Sequence, residues 1–564
     1  MEKAQIRQIL NNSRYFKIPF FQRSYVWSEE NWDRFLEDMK VVSATPSPFF
    51  LGAYIAKIEL TNSNEEIGDV RVLIDGQQRF TTILLFFYTL CKKLDKTRLF
   101  EQWFFVTSSK HDICLQHNHN DKEIFDAIVT GQLTPALRKK YAKNKVLLAY
   151  NFFDENIDIQ DFDLNVLLNS LYFVPIDLSP DEDEQQIFDT INSLGVKLTI
   201  GDLLKNFLFS DTDDYKLYEK TWKEIFEKDQ DTQEFWSADV TSGRQKRTNI
   251  DMFLQAYLTI KSTSDFSLNS LFSAFKKYLK EQHFEENKEE IVNDIIEYAK
   301  LYRKHFDPEV LNTSLGNTVS SIKRLNIIFW GLEITTFIPY CLFILREQED
   351  NEQEASAIFE YLEKYLMRRL ICKWDTKYYN QLCQKFIRNR VITLDELIKG
   401  ISNIENDYYI NMPKDLDIRK AIDEYDLTNK QSLGILFLLE LHLREEKDST
   451  QLLVFKDYEL EHIMPKKWQQ YWPLIGDNTE DNRKKHIGLL GNKTILNGKL
   501  NNAIKNASWD IKKEGKPEHP GLQKCARDLK TFQFEDIEVW NEEKIEERND
   551  QLYQQICQVW PENK

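Results

Sequence analysis

Near the end of the chain a histidine stands directly beside a carboxylate, as Glu461-His462, and two asparagines follow, Asn492 in an apolar run and Asn501 before a polar stretch. An imidazole can take a proton from water as a general base, and a carboxylate oxygen is a hard ligand that suits Mg²⁺ or Mn²⁺. We therefore interpret His462 as the general base and Glu461 and Asn501 as metal ligands. Asn492 would orient the loop or His462 by hydrogen bonding.

Two strands and a helix must position these residues. The sequence predicts the first strand over Tyr458 to Ile463, the second over Ile487 to Leu496 and the helix over roughly Lys499 to Lys513. This order resembles the ββα-metal (HNH) nucleases, in which the histidine ends the first strand and the helix supplies a metal ligand. The alternative interpretation is an ordinary half-buried histidine with asparagines that cap helices.

A second cluster of chemically capable residues lies far upstream, after two predicted strands over Phe49 to Ala56 and Val70 to Ile74. A glycine there permits a tight turn, and a helix-forming run begins near Thr81, so that free backbone N–H groups would face the loop and form an anion site. The arginine adds donors that suit a phosphate. Alternatively, Asp75 and Thr81 cap the helix and Arg79 pairs with a carboxylate. The candidate nucleotide-binding residues here are Asp75, Gly76, Gln77, Gln78, Arg79 and Thr81.

Two further polar clusters flank this one. The first contains Gln22, Arg23 and Tyr25, and the second contains Asn192, followed by Gly195. Taken alone, the first is equally typical of a surface turn and the second of a helix C-cap. The chain contains no GxxxxGK(S/T) sequence, so a P-loop ATPase is unsupported.

Composition limits the class of protein. The 564 residues predict two to four domains, and few Gly (17) and Pro (14) favour helices. A formal net charge of -17 argues against non-specific coating of nucleic acid, although residues 459–530 carry 14 Lys and Arg against 9 Asp and Glu. Scattered cysteines and the absence of an apolar leader predict a cytoplasmic protein without a membrane segment. The apolar run from Ile327 to Leu345, which polar residues interrupt, predicts a buried helix pair. A closing helix is predicted over Glu542 to Val559.

The three N-terminal clusters, written PxxQRxYxW, IDGQQRxTT and FxxxNxxGxxLxxxDLxKN, closely resemble the N-terminal domain of the GmrSD-type modification-dependent (type IV) restriction endonucleases. The C-terminal segment resembles the same family's (D/E)HIxP…LGNLxLL…LNxxxxN domain. Glu461 stands where Asp is usual in the wider ββα-metal group, and Lys493 stands where Leu is usual. The resemblance implies that the three N-terminal clusters line one nucleotide pocket.

The resemblance also implies an architecture that is mostly α with α+β parts. Residues 1–212 would form a ParB/sulfiredoxin-like NTPase domain, residues 213–415 a helical connecting domain and residues 416–564 a ββα-metal nuclease domain. The implied activity is NTP-dependent and Mg²⁺-dependent cleavage of DNA, in particular modified phage DNA, in anti-phage defence. GTP, UTP, CTP and ATP are not distinguished, and a homo-oligomer is possible. The alternatives are a nucleotide-responsive DNA-binding defence protein with a vestigial nuclease site, and an RNase.

Two weaker patterns complete the sequence analysis. The spacing of His111, Cys114, His117 and His119 would suit a metal, but it also reads as a strand that runs into a loop. The basic run from Arg483 to His486, with Lys466 and Lys467, is either a solvated loop or a phosphate-binding rim beside the nuclease site.

Overall fold

The fold is mostly helical and contains one larger mixed sheet. A computed structural model describes residues 3–11, 14–20, 22–59, 70–106, 112–178, 199–209, 214–242, 245–262, 266, 270–316, 319–402, 410–444, 454–476, 478–497, 502–526, 529–532, 534 and 537–562. The chain divides into two compact units, Met1–Glu219 and Lys220–Lys564. The predicted helical middle and the predicted nuclease segment both lie in the second unit.

A six-stranded sheet organises the first unit, in the order β1-β6-β3-β4-β2-β5. Strand β3 runs parallel to β6 and antiparallel to β4, and β2 is parallel to both β4 and β5. The two strands predicted from the sequence are confirmed as β3 and β4. The strand bounds are Ala4–Gln5 (β1), Tyr15–Lys17 (β2), Phe49–Glu59 (β3), Val70–Asp75 (β4), Leu115–Gln116 (β5) and Leu171–Leu178 (β6).

The helix Gln77–Lys93 forms the centre of the first unit. It is apolar on nearly all sides, as expected of a helix that neighbouring helices enclose, and it begins four residues before the predicted start at Thr81. The earlier start follows from Gly76, whose left-handed φ of 104° turns the chain directly from strand into helix. The other helices of this unit are Ile6–Ile9, Glu29–Ala44, Thr97–Phe104, His119–Val129, Pro135–Lys140, Lys145–Asn156, Leu164–Ser170, Ile200–Leu208 and Tyr215–Tyr218, with a 3-10 turn at Ile159–Asp161.

The first part of the second unit is helical, apart from a small hairpin of Asp239–Ser242 (β7) and Gln245–Thr248 (β8). The apolar run predicted to be a buried helix pair forms Ile327–Gly331 and Ile338–Glu347, both buried. No described helix combines the length and the apolar character needed to cross a membrane. The remaining helical elements are Glu219–Glu227, Gln230–Ser237, Asn249–Lys261, Leu271–Glu281, Phe284–His305, Pro308–Asn312, Ser321–Asn326, Glu352–Ile371, Tyr379–Arg388, Leu394–Ser402 and Asp415–Glu424.

The C-terminal segment is built on a short antiparallel hairpin of Tyr458–His462 (β9) and Lys493–Asn497 (β10). The first strand is confirmed, but the predicted start of the second strand at Ile487 is wrong. Residues Glu480–Gly488 form a helix and Leu490–Asn492 a single turn. The apolar run misled the prediction because its side chains are buried by packing against the closing helix Glu542–Val559, which lies where it was predicted.

The helix predicted over Lys499 to Lys513 is interrupted. The structure has Asn502–Lys505 and Trp509–Glu514, while residues 498–501 lie outside the described part. Between the two helices, the Ala507 carbonyl accepts a hydrogen bond from the Trp472 indole at 2.8 Å, which takes the place of a helical partner. The other elements of this segment are Asn429–Leu443, Phe455–Asp457, Gly515–Lys516 (β11), His519–Pro520 (β12) and Leu522–Cys525.

Candidate active site

Glu461 and His462 end the strand β9, where the register pairs His462 with Lys493 and Glu461 with Thr494. The Glu461 carboxylate is buried, and its Oε1 accepts from Lys512 Nζ at 2.7 Å. The same ammonium donates to the His462 backbone oxygen at 2.5 Å, and it has no exposed surface. One buried lysine therefore fixes both the carboxylate and the backbone of the neighbouring histidine.

The His462 imidazole has one ring nitrogen without a hydrogen-bond partner in the described structure. Its Nε2 is buried and makes no hydrogen bond within the described residues. Burial, together with the positive charges of Lys493, Lys466 and Lys512, lowers the pKa of His462 to about 3. The ring is therefore neutral at pH 7, and a nitrogen that carries no proton can accept one from water.

The buried side chain of Asn492 forms four hydrogen bonds next to this site. Its Oδ1 accepts from the backbone N–H of Met464 at 2.8 Å and from the Trp540 indole at 3.0 Å. Its Nδ2 donates to the carbonyl oxygens of Met464 at 2.9 Å and Ile487 at 3.1 Å. Two acceptor and two donor positions are thus filled by protein atoms, and Asn492 fixes the loop that leaves His462.

Lys493 is buried and turned toward other partners. Its ammonium donates to Asp426 Oδ1 at 2.8 Å and to the Leu427 carbonyl at 2.6 Å. The closing helix braces the adjoining turn, because Arg548 donates to the carbonyls of Gly491 and Lys493. The lysine that stands where leucine is usual in the family therefore joins the hairpin to the segment before the helix Asn429–Leu443.

The chemistry of Glu461 suits a divalent cation, but its surroundings limit how one could bind. Oε1 is held by Lys512, which leaves Oε2, and the exposed Lys505 ammonium lies 3.8 Å from that oxygen. Within the described part of the chain, no group of three His, Cys, Asp or Glu side chains is arranged to hold a metal. Asn501, the second predicted ligand, lies outside the described residues. The carboxylate thus offers one oxygen.

Two residues of the basic run from Arg483 to His486 are not available for the phosphate-binding rim that its sequence suggested. Arg483 is buried, pairs with Glu542 and donates to the Trp472 carbonyl at 2.8 Å. His486 is also buried, with Glu546 at 2.8 Å from its Nε2. Half of the run is therefore structural, because its side chains lie on the inward face of the helix Glu480–Gly488.

In the first unit, the Arg79 guanidinium is already engaged. Nη2 donates to Asp75 Oδ2 and Nη1 to the Leu51 carbonyl, both at 3.1 Å. A methyl group at Gly52, whose φ is 102°, would lie 2.2 Å from Nη1, so that glycine gives the arginine its space. Arg79 pairs with a carboxylate, as the alternative interpretation had it, whereas Asp75 does not cap the helix, since Gly76 is its N-cap residue.

Hydrogen bonds join the first two N-terminal clusters. Gln22 Nε2 donates to the Ile74 carbonyl at 3.4 Å. Gln78 accepts from the backbone N–H of Val26 at 2.8 Å and donates to the Ser24 carbonyl at 3.3 Å. The structure therefore places the two clusters side by side, while Asn192 and Gly195 lie outside the described residues.

These clusters line a closely packed pocket that has no room for a water molecule, together with residues that the sequence did not indicate as part of a nucleotide site. His117 Nε2 lies 3.0 Å from Thr81 Oγ1, and burial lowers the pKa of His117 to about 3. Asp121 accepts from the Tyr25 backbone N–H at 2.6 Å, and burial raises the pKa of its carboxyl. The lining residues are Ile18, Arg23, Tyr25, Gln77, Gln78, Thr81, His117, Asn118 and Asp121.

The remaining contacts in this pocket bear on the weaker metal pattern and on Tyr25. His117 is bonded to Thr81 and Cys114 is buried, so neither side chain faces a shared centre with a third ligand in the described residues. The Tyr25 hydroxyl lies 2.6 Å from Thr82 Oγ1 and accepts from the Trp32 indole at 2.8 Å. In the sequence, the spacing of polar residues around His117 was the signal that could have indicated this side of the pocket, formed by His117, Asn118 and Asp121.

Family models match both ends of the chain. Residues 6–209 match the GmrSD restriction endonuclease N-terminal domain, and residues 412–555 match the C-terminal domain of the GmrSD restriction endonucleases. A comparison with curated proteins gives no match. The two matched segments contain the Asp75–Arg79 cluster and the Glu461–His462 pair. The chain belongs to the GmrSD restriction endonuclease family, whose domains support a restriction-type DNA endonuclease.

Proposed function

We propose that this protein is an NTP-dependent and Mg²⁺-dependent DNA endonuclease of the modification-dependent restriction type, which acts in the cytoplasm against phage DNA. The observation that carries the proposal is the neutral His462 imidazole, which ends a strand directly after a carboxylate. Its buried Nε2 has no hydrogen-bond partner among the described residues. A ββα-metal nuclease needs these two groups in this order. The ParB-like character of the N-terminal unit remains part of the same proposal.

In the proposed reaction, His462 Nε2 accepts a proton from the water that attacks the phosphorus. A new phosphorus–oxygen bond forms, the bond to the leaving sugar oxygen breaks, and a solvent water protonates that oxygen. Asn492 keeps the base in place by holding both backbone polar groups of Met464. Glu461 Oε2 and Asn501 would hold Mg²⁺ or Mn²⁺, which when bound would neutralise charge on the phosphate. The negative charge on the two non-bridging oxygens of a bound phosphodiester would raise the pKa of His462, because it offsets the positive charge of the surrounding lysines.

The N-terminal pocket is the proposed nucleotide site. The first turn of the helix Gln77–Lys93 presents backbone N–H groups beside Arg79, and an anionic group would suit both. The pocket has no room for a water molecule, whereas ligand pockets begin at roughly 300 Å³, so nucleotide binding would have to open it. Breaking the Asp75–Arg79 pair is the change that would release the guanidinium for phosphate.

The test is cleavage of unmodified plasmid and modified phage DNA by the full chain, with Mg²⁺, with and without each NTP. Wild type is expected to cut modified DNA in the presence of an NTP, and His462→Ala is expected to cut at least about a hundredfold more slowly. RNA digested in parallel distinguishes an RNase. DNA left intact by a folded wild-type protein under every condition would contradict the proposal.

The ion pair between Glu461 and Lys512 favours a second candidate function, a nucleotide-responsive DNA-binding defence protein with a vestigial nuclease site. A carboxylate committed to a buried ammonium has only one oxygen left for a metal. A phage-challenge assay separates the two candidates. Equal protection by wild type and His462→Ala favours binding without cleavage, whereas loss of protection by the variant favours the nuclease.

A further inference from the structure

The loop formed by residues 464–476, hereafter the 464–476 loop, follows directly after His462. The Asn492 side chain fixes its start through both backbone polar groups of Met464. Arg483 fixes its far half by donating to the carbonyls of Trp472 at 2.8 Å and Pro473 at 3.3 Å. The loop is therefore held at two places by buried side chains.

Aromatic packing adds to this support. The Arg483 guanidinium lies 5.1 Å from the centre of the buried Trp468 ring, and the Trp472 indole donates to the Ala507 carbonyl at 2.8 Å. A partly exposed carboxylate, Glu542, completes the set by pairing with Arg483. Such a braced loop presents its outward side chains in a fixed arrangement, which reduces the entropy lost on binding.

The outward face of the loop is basic at one end and apolar at the other. Lys466 and Lys467 are exposed, and neither forms an ion pair with another described residue. Tyr471, Leu474 and Ile475 are 50%, 37% and 62% exposed, and they are three of the eleven large apolar side chains that are exposed among the residues the structure describes. Apolar side chains concentrated in five residues on a rigid loop indicate a surface that another molecule covers.

We propose that the 464–476 loop is a duplex-DNA contact surface, in which Lys466 and Lys467 bind phosphates next to the scissile one and Tyr471 and Ile475 pack against the bases or sugars beyond. This inference rests on the proposed nuclease function, since it assumes that DNA reaches His462. Charge complementarity selects the occupant: two unpaired lysines beside the site suit a polyanion. Apolar side chains inserted at base steps are a common partner of such lysines.

The experiment measures binding of a short fluorescein-labelled DNA duplex by anisotropy over a range of salt concentrations. All proteins are full-length and carry His462→Ala, so that cleavage does not interfere. The loss of two phosphate contacts in Lys466→Ala/Lys467→Ala is expected to reduce the slope of log K against log salt by about 1.8. Tyr471→Ser and Ile475→Ser are each expected to weaken binding by about tenfold with an unchanged salt slope.

Matched controls change the same properties elsewhere. Lys139→Ala/Lys145→Ala removes two exposed charges from the helices Pro135–Lys140 and Lys145–Asn156, and Val539→Ser replaces another exposed apolar residue. Both controls are expected to bind like the parent protein. Thermal unfolding is expected to be unchanged for the two serine variants in the loop, because these side chains face solvent in the free protein.

The other possible outcomes overturn the proposal that the 464–476 loop binds duplex DNA. Unchanged binding by the loop variants, or an equal loss in the controls, overturns the inference, while cleavage by wild type would leave the nuclease function standing. A parent protein that binds no duplex also overturns it. Tighter binding of an RNA duplex of the same sequence, with the same dependence on the loop, assigns the surface to RNA instead of DNA. Cleavage assays on wild type test the proposed function separately.

Discussion

At the scale of single residues, the buried ammonium of Lys512 is the contact that most shapes the candidate active site. It joins the Glu461 carboxylate to the His462 carbonyl, so that the proposed metal ligand and the proposed general base share one support. The longer arm of glutamate, compared with the usual aspartate, is therefore held back against a lysine. A partner removed from such a pair leaves an uncompensated charge in the interior.

Lys512→Met is expected to lower the free energy of unfolding by about 3 kcal/mol, because Glu461 would stay buried without its partner. Chemical denaturation measures the change. Lys505→Met is the matched control: Lys505 is 51% exposed and 3.8 Å from Glu461, so its loss is expected to cost about 0.5 kcal/mol or less. The double variant Glu461→Gln/Lys512→Met should recover part of the stability. Equal losses at both lysines would contradict this account.

His117 makes stability depend on pH. Its folded-state pKa of about 3 lies below its ordinary value, so the unfolded chain binds one more proton between the two pKa values. Stability from this group is full above about pH 6.5 and falls, as pH decreases, by about 1.4 kcal/mol per unit. His117→Gln is expected to flatten the decline in urea-unfolding stability between pH 6.5 and 5.

The matched control for this titration is His283→Asn, at an exposed position whose left-handed backbone asparagine tolerates. It replaces a surface histidine and leaves the buried contacts of His117 intact, so a decline flattened equally by this variant would contradict the assignment to His117. A slope that His117→Gln does not change would show that other groups cause the acid sensitivity.

At the scale of elements, the junction between β4 and the helix Gln77–Lys93 depends on one glycine. Gly76→Ala is expected to cost about 1–3 kcal/mol, since it combines a left-handed φ with a Cβ only 2.8 Å from that of Tyr54. The helix start would shift, and NTP hydrolysis is expected to fall with it. Thermal unfolding and phosphate release measure the two effects.

Gly131→Ala separates backbone strain from crowding. Gly131 has φ 72°, but its nearest neighbour would be Tyr88 Oη at an ordinary 3.5 Å. Its replacement is expected to cost about 1 kcal/mol and to leave NTP hydrolysis unchanged. If Gly131→Ala were as damaging as Gly76→Ala, the close approach to Tyr54 would not be the cause.

At the scale of the whole molecule, the two units are proposed to carry separate chemistry. Arg79→Gln is expected to reduce NTP hydrolysis at least tenfold and to leave DNA binding unchanged, because the guanidinium is proposed to meet phosphate. His462→Ala is expected to reverse this pattern, keeping NTP hydrolysis and losing cleavage. Arg138→Gln, at an exposed arginine of the first unit, is the control. A variant that loses both activities without unfolding would contradict the separation.

Particular elements show how far the sequence reached. The strands β3, β4 and β9 and the closing helix Glu542–Val559 follow from local patterns, because alternation or helical spacing of apolar residues marks each one. The late start of β10 and the interrupted helix after it could not be predicted. Both depend on hydrogen bonds from distant residues, Asn492 to Met464 and Trp472 to Ala507.

By itself, the sequence determined which groups are available: a histidine after a carboxylate, and an arginine after a strand-ending Asp-Gly turn. Residue identity and spacing are local properties, so a single chain suffices to see them. Only the tertiary structure decided how those groups are engaged. Lys512 forms an ion pair with Glu461, and Arg79 forms one with Asp75. Arg483 is buried and pairs with Glu542, so it does not belong to an exposed basic rim. Ion pairs and burial of this kind depend on which elements pack together in space. The positions of residues along the chain do not reveal which distant elements come into contact.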